Sequence, residues 1–142
     1  MYSKILVALD GSEISKLAFS RALDLAKSDN AELHAVYVIE SGIASPGPVD
    51  TTWELIYQRF ENEGRALMEE LNVAADAAGV KVIPHVETGH AGDTIVKTAK
   101  DIDCDLIVVG SLGKSKLDRL LLGSVSAHVV NYGKTNILIV RK

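Results

Sequence analysis

Glycines and small hydroxyl residues gather in one stretch of this sequence at a spacing that suits anion chemistry. It runs Gly110-Ser111-Leu112-Gly113, then nine residues, then Gly123-Ser124-Val125-Ser126. Glycines let backbone N–H groups come close to a ligand. A helix starting near Ser124 supplies unpaired N–H donors and the positive end of its dipole, and Ser124 and Ser126 add hydroxyls. The natural ligand of such a stretch is a phosphate, although the same spacing also suits a plain strand-to-helix turn. Gly113-Lys114-Ser115 and Gly133-Lys134-Thr135 look like the end of a P-loop. That motif needs a glycine five residues before the Gly-Lys pair, where this chain has Val108 and His128, so neither is one.

A second residue with chemistry is Asp10, which follows the apolar run Ile5 to Leu9. It stands at the carboxyl end of a strand, where open α/β sheets bind ligands. Its carboxylate suits a ribose hydroxyl, an adenine amine or a metal bridging phosphates, and equally the capping of the next helix. Cys104 is the single cysteine, which excludes an internal disulfide and a multi-cysteine zinc site. The aspartates around it raise its pKa and argue against a reactive thiolate. His34, His85, His90 and His128 lack metal-ligand spacing, and no GxSxG elbow is present.

The elements that must carry these residues alternate. Ile5 to Leu9 reads as a strand and Ser12 as the cap of a helix that runs to about Lys27, with Ile14, Leu17, Ala18, Ala22 and Leu25 inward. Ala31 to Ile39 is a second strand. Residues 41–50, with Gly42, Pro46, Gly47 and Pro48, read as a flexible loop, which suits either a lid over a bound base or a disordered loop without function. A long helix follows from Thr51 or Thr52 to about Ala78. Trp53, Ile56, Tyr57, Phe60, Leu67, Met68 and Leu71 form its inward face. Lys81 to Glu87 is a third strand, and Pro84 within it argues for an edge position. After a turn from Thr88 to Gly92, a helix runs to about Ile102 with Ile95, Val96 and Ala99 inward. Asp105 to Val109 is a buried strand, Ser124 to about Tyr132 a helix and Asn136 to Val140 a last strand. This alternation calls for an α/β domain over residues 1–142, with a parallel sheet covered by helices on both faces. The edge position of the third strand agrees with the order 3-2-1-4-5.

Composition bounds the partners. The 142 residues suit one domain, and 15 basic against 19 acidic side chains give a net charge of −4. That argues against nucleic acid or an anionic membrane as the main partner. No apolar run is long enough to span a bilayer and no leader opens the sequence, so the cytoplasm is the expected location.

From Asp105 to Ser126 the sequence closely resembles the nucleotide-binding segment of the universal stress protein family, in its ATP-binding branch. That family carries Gly, two residues, Gly, nine residues, Gly-Ser/Thr after an aspartate-led apolar strand. Leu120-Leu121-Leu122-Gly123-Ser124-Val125-Ser126 and Lys4-Ile5-Leu6-Val7-Ala8-Leu9-Asp10-Gly11-Ser12 are similar to its signatures. The similarity covers essentially the whole chain, least between Ser41 and Glu70.

The resemblance implies a Rossmann-like, open five-stranded parallel sheet of the adenine nucleotide alpha hydrolase kind. It implies an adenine nucleotide, ATP or else AMP or ADP, with Mg2+ or Mn2+. Ala8, Val38 and Val109 then lie beside the adenine, and Asp10 contacts the nucleotide or its metal ion. Gly110, Gly113, Gly123, Ser124, Val125 and Ser126 hold the ribose and phosphates, and Lys114 reaches the outer phosphates. It further implies a homodimer through residues 136–140 and a regulatory role in stress, exerted through the dimer or an unidentified protein partner. The other readings are a slow Mg-dependent ATPase or nucleotidyl-transfer enzyme and a nucleotide-free protein acting by protein contacts. The chain departs from the family at Leu112, often polar or basic in relatives, and at Lys134-Thr135-Asn136, where a cysteine-proline pair is familiar. Ala91 stands for a frequent proline, with little consequence expected.

Overall fold

The computed structural model describes residues 1–40, 51–112 and 122–142. Five strands form one parallel sheet: β1 (Lys4–Leu9), β2 (Glu32–Glu40), β3 (Val82–Gly89), β4 (Leu106–Gly110) and β5 (Asn136–Val140). Between them run α1 (Glu13–Asp29), α2 (Thr51–Ala77), α3 (Ala91–Asp101) and α4 (Ser124–Tyr132). The strand order is β3-β2-β1-β4-β5, as expected. The connection from β3 to β4 passes over β2 and β1, so the chain reverses its direction across the sheet between β1 and β4.

Each face of the sheet is covered. Ile5, Val7, Leu33, Ala35 and Val108 pack against Ala18, Phe19 and Ala22 of α1 and Leu67, Met68 and Leu71 of α2. On the other face Leu6, Val36, Ile107 and Val109 pack against Ile95 and Ala99 of α3 and Val129 of α4. Strands buried on both sides read as continuous apolar runs, which is why β1 and β4 carry almost no polar residue.

The helix ends follow local rules. Ser12 Oγ accepts the N–H of Ser15 at 3.2 Å, capping α1. Asn30 closes α1 in the left-handed region, at φ 55°, a conformation asparagine tolerates. A shared clasp joins the starts of β1 and β4, where the Asp105 carboxylate accepts the N–H groups of Ser3 and Lys4 at 2.8 and 2.9 Å.

Three expectations are corrected. Ile56 of α2 is 42% exposed rather than inward, because only the second half of the helix packs closely on the sheet. The buried line of α1 is Ser15, Ala18, Phe19, Ala22 and Ala26, with Ile14, Leu17 and Leu25 half-buried beside it. β3 continues past Glu87 to Gly89, since Thr88 and Gly89 still pair with Ile39 and Glu40.

Candidate functional site

The carboxyl ends of β2, β1 and β4 open into a cleft of about 410 Å³, within the range of small-molecule sites. It lies beside the β1–β4 reversal, where parallel sheets leave a crevice. Ala8, Asp10, Val38, Val109, Gly110, Gly123, Ser124, Val125 and Ser126 all line it. These nine residues come from four elements and two connections and meet around one space. Gly113 and Lys114 lie outside the described residues, as do residues 41–50.

Strand alternation sorts the lining. Ala8, Val38 and Val109 pack with the cluster under α3 and α4, and so do Ile95 and Val125. Together they make an apolar slot between the sheet and those helices. Leu9, Tyr37, Ile39 and Phe60 belong to the opposite cluster and close the slot from the side of α1 and α2. Burial raises the Tyr37 hydroxyl pKa, and the charges of Glu63 and Asp10 add to the rise, so the phenol stays neutral.

Gly110 ends β4 where the start of α1 comes close. A Cβ there would meet the Ile14 side chain at 3.0 and 3.1 Å. The next residue, Ser111, fastens the far side of the cleft. Its N–H donates to Val140 O at 2.8 Å, and its carbonyl accepts the N–H of Gly123 at 2.7 Å. The same carbonyl accepts the hydroxyl of Ser126 at 3.1 Å, and that hydroxyl also lies 3.0 Å from Gly123 O. The Ser126 hydroxyl is therefore a donor to the backbone, and what Ser126 offers the cleft is its N–H.

Three helices begin at this cleft, and they differ in charge. At α1, Asp10 Oδ1 accepts the N–H of Ser12 at 2.9 Å and Glu13 sits in the first turn. At α3, Glu40 Oε1 accepts the N–H of Ala91 at 3.1 Å and Asp93 sits in the first turn. At α4 the cap is Gly123, with no side-chain bond and no acidic residue in the first turn. Helix geometry leaves the N–H groups of Ser124, Val125 and Ser126 without intrahelical partners. Among the described residues, no capping side chain and no first-turn carboxylate offsets the positive end of α4 at the cleft.

The structure also adds residues that sequence reasoning missed. Tyr37, Glu40 and Phe60 line the cleft. Glu40 had a readable signal, as the polar residue that ends an apolar strand. The expected indifference to Ala91 is revised, because its N–H carries the bond to Glu40 and a proline there has none to give. Among the described residues, no group of three or more His, Cys, Asp or Glu is placed to hold a metal ion. No helix there is long and apolar enough to cross a membrane.

Comparisons with known proteins agree with this architecture. The family model described as "Universal stress protein family" matches residues 1–141. Universal stress protein MJ0531 of Methanocaldococcus jannaschii is 34% identical over 142 residues, covering 100% of this chain and 84% of that protein. The structure of universal stress protein UspA from Lactobacillus plantarum superposes with a TM-score of 0.92 at 26% identity, covering 99% of this chain and 98% of the other. A universal stress protein in complex with cAMP superposes at 0.76 with 30% identity, covering 98% and 97%. The chain belongs to the universal stress protein family.

Proposed function

We propose that the cleft binds an adenine nucleotide, ATP with Mg2+ or Mn2+, and that binding sets the state of a stress-response module. The observation that carries this reading is the start of α4. Among the described residues it is the cleft's helix start with neither a first-turn carboxylate nor a capping side chain, and a phosphate is the ligand such an end favours. The relative at 30% identity that was solved in complex with cAMP supports an adenine nucleotide as the class of ligand.

In this reading the base enters the slot of Ala8, Val38 and Val109. The phosphates meet the N–H groups of Ser124, Val125 and Ser126 beside Gly110 and Gly123. Asp10 keeps one carboxylate oxygen on Ser12 and offers the other to a ribose hydroxyl, an adenine amine or the nucleotide's metal ion. Gly113 and Lys114 complete the phosphate side. A homodimer through β5 and an unidentified protein partner carry the signal outward. β5 is an edge strand, which presents unpaired backbone groups for another chain to pair with.

The test titrates ATP, AMP and cAMP, with and without magnesium, into protein stripped of small molecules. Mass spectrometry of what the native protein releases on denaturation accompanies it. Ser124→Glu places a carboxylate at the start of α4. It is expected to leave the fold as stable or up to about 1 kcal/mol more so, through the helix dipole. Nucleotide affinity is expected to fall at least about tenfold, by charge repulsion at close range. A wild-type protein that neither releases nor binds nucleotide overturns the reading. So does unchanged affinity in Ser124→Glu.

A further inference from the structure

Far from the cleft, three side chains form a hydrogen-bonded line on the sheet. His34 Nε2 lies 2.5 Å from Glu32 Oε1, and His34 Nδ1 lies 2.8 Å from His85 Nε2. The two imidazole planes are within 19° of each other and their centroids 5.1 Å apart, so the line runs nearly within both rings. Glu32 and His34 belong to β2 and His85 to β3. The β2–β3 register pairs His34 with Ile83 and Val36 with His85, which puts both histidines on the face that α3 covers. His34 is 6% exposed and His85 half-buried.

The protons in this line are fixed by elimination. A carboxylate only accepts, so His34 Nε2 carries its hydrogen. Uncharged His34 then has a bare Nδ1, which accepts Nε2–H of His85. The line spans β2 and the edge strand β3, on the stretch where Pro84 has no backbone N–H to give.

We propose that Glu32, His34 and His85 are an acid-released fastening that holds β3 to β2 until both histidines are protonated. One added proton leaves the line intact, because on either ring it still leaves a single N–H between His34 Nδ1 and His85 Nε2. A second proton puts a hydrogen on both facing nitrogens and sets two N–H groups head-on across 2.8 Å. The surroundings work in the same direction. Burial lowers the His85 pKa and the neighbouring His34 lowers it further, against an opposing pull from Glu87. The Glu32 carboxyl is held below its usual range mainly by its bond to His34, with Lys4 of β1 adding to this. From α3 the inward residues are Gly92, Ile95, Thr98 and Ala99, none of them ionisable, while Lys97 and Asp101 pair with each other at the surface. Cys104, in the same apolar cluster, has its thiol pushed up to about 11 and stays neutral.

The experiment is nitrogen NMR of the imidazoles in the full chain, with amide hydrogen exchange at about pH 7.5 and about pH 5, corrected for intrinsic rates. The expected result at the higher pH is the Nε2–H tautomer at both His34 and His85. On acidification, protection of the β3 amides should fall relative to β1 by about tenfold per pH unit once the second proton enters the pair. The double change His34→Gln and His85→Gln should remove that pH dependence while β1 and β4 stay protected. An Nδ1–H tautomer at His34 in neutral solution overturns the proposal. So does β3 protection that does not change with pH, or that changes equally in the double variant. Imidazole signals that move with added Zn2+ and not with pH overturn it as well.

Discussion

At the scale of single residues, close approach explains more than side-chain chemistry does. Gly92 stands where α3 meets α4. A Cβ there would lie 2.6 Å from Cγ and 2.9 Å from Cβ of His128. Those are root atoms of the ring, which cannot swing aside as a chain end would. His128 is further held by Asp93 at 2.8 Å and by the Tyr132 ring, centroids 4.5 Å apart. Gly92→Ala is therefore expected to lower stability by about 1–2 kcal/mol, overpacking outweighing the gain in helix propensity. The urea midpoint checks the loss, and a displaced His128 resonance locates it. The glycine spacing marked one wall of the candidate site in advance, since backbone approach needs glycine wherever the neighbours lie. The rest was not local. His34 and His85 are 51 residues apart and meet only because β2 and β3 align. Tyr37 and Phe60 enter the lining by the packing of α2 on β2, which no spacing within either segment records.

At the scale of elements, apolar runs and helical periodicity defined the order of strands and helices, and α4 and β5 have the bounds expected for them. The end of β3 was hidden because Thr88 and Gly89 are strand residues by backbone pairing alone. The exposed Ile56 was hidden because a long helix can keep its period beyond the surface it covers. The edge element β5 carries the next prediction. Val130 and Tyr132 of the neighbouring α4 are 43% and 63% exposed, two apolar side chains on the helix that packs on β5. If β5 pairs with a second copy, Val130→Glu together with Tyr132→Glu should weaken the dimer at least about tenfold by placing unpaired charge at the contact. Sedimentation checks this, with circular dichroism expected to show the fold unchanged. A wild-type monomer at all concentrations removes β5 as the dimer contact.

At the scale of the whole molecule, the shifted groups define a stability curve with two shoulders. His85 has its pKa lowered, so its contribution is complete above the ordinary imidazole value and is lost as pH falls below about 6.5. Glu32 and Asp105 are also lowered, and theirs is lost further down, below their unfolded values of 4.5 and 3.8. For Asp105, burial works against the shift and the N–H bonds from Lys4 and Ser3 outweigh it. Cys104 and Tyr37 are raised, mainly by burial, so their contributions are complete below 9.0 and 10.0 and are lost as pH rises past those values. Urea midpoints should accordingly be level between about pH 7 and pH 8.5 and fall on both sides. Replacing Cys104 by alanine should flatten the alkaline shoulder.

The unequal helix starts around the cleft reach beyond the attraction of one phosphate. Among the described residues, Asp10 and Glu40 set carboxylates against two of the three helix starts, and none stands in the first turn of α4. The cleft is thus a keyed socket. If the cleft holds the proposed nucleotide, its anionic end would seat a single way round, its heading decided by the protein's own carboxylates before any contact with the base is made.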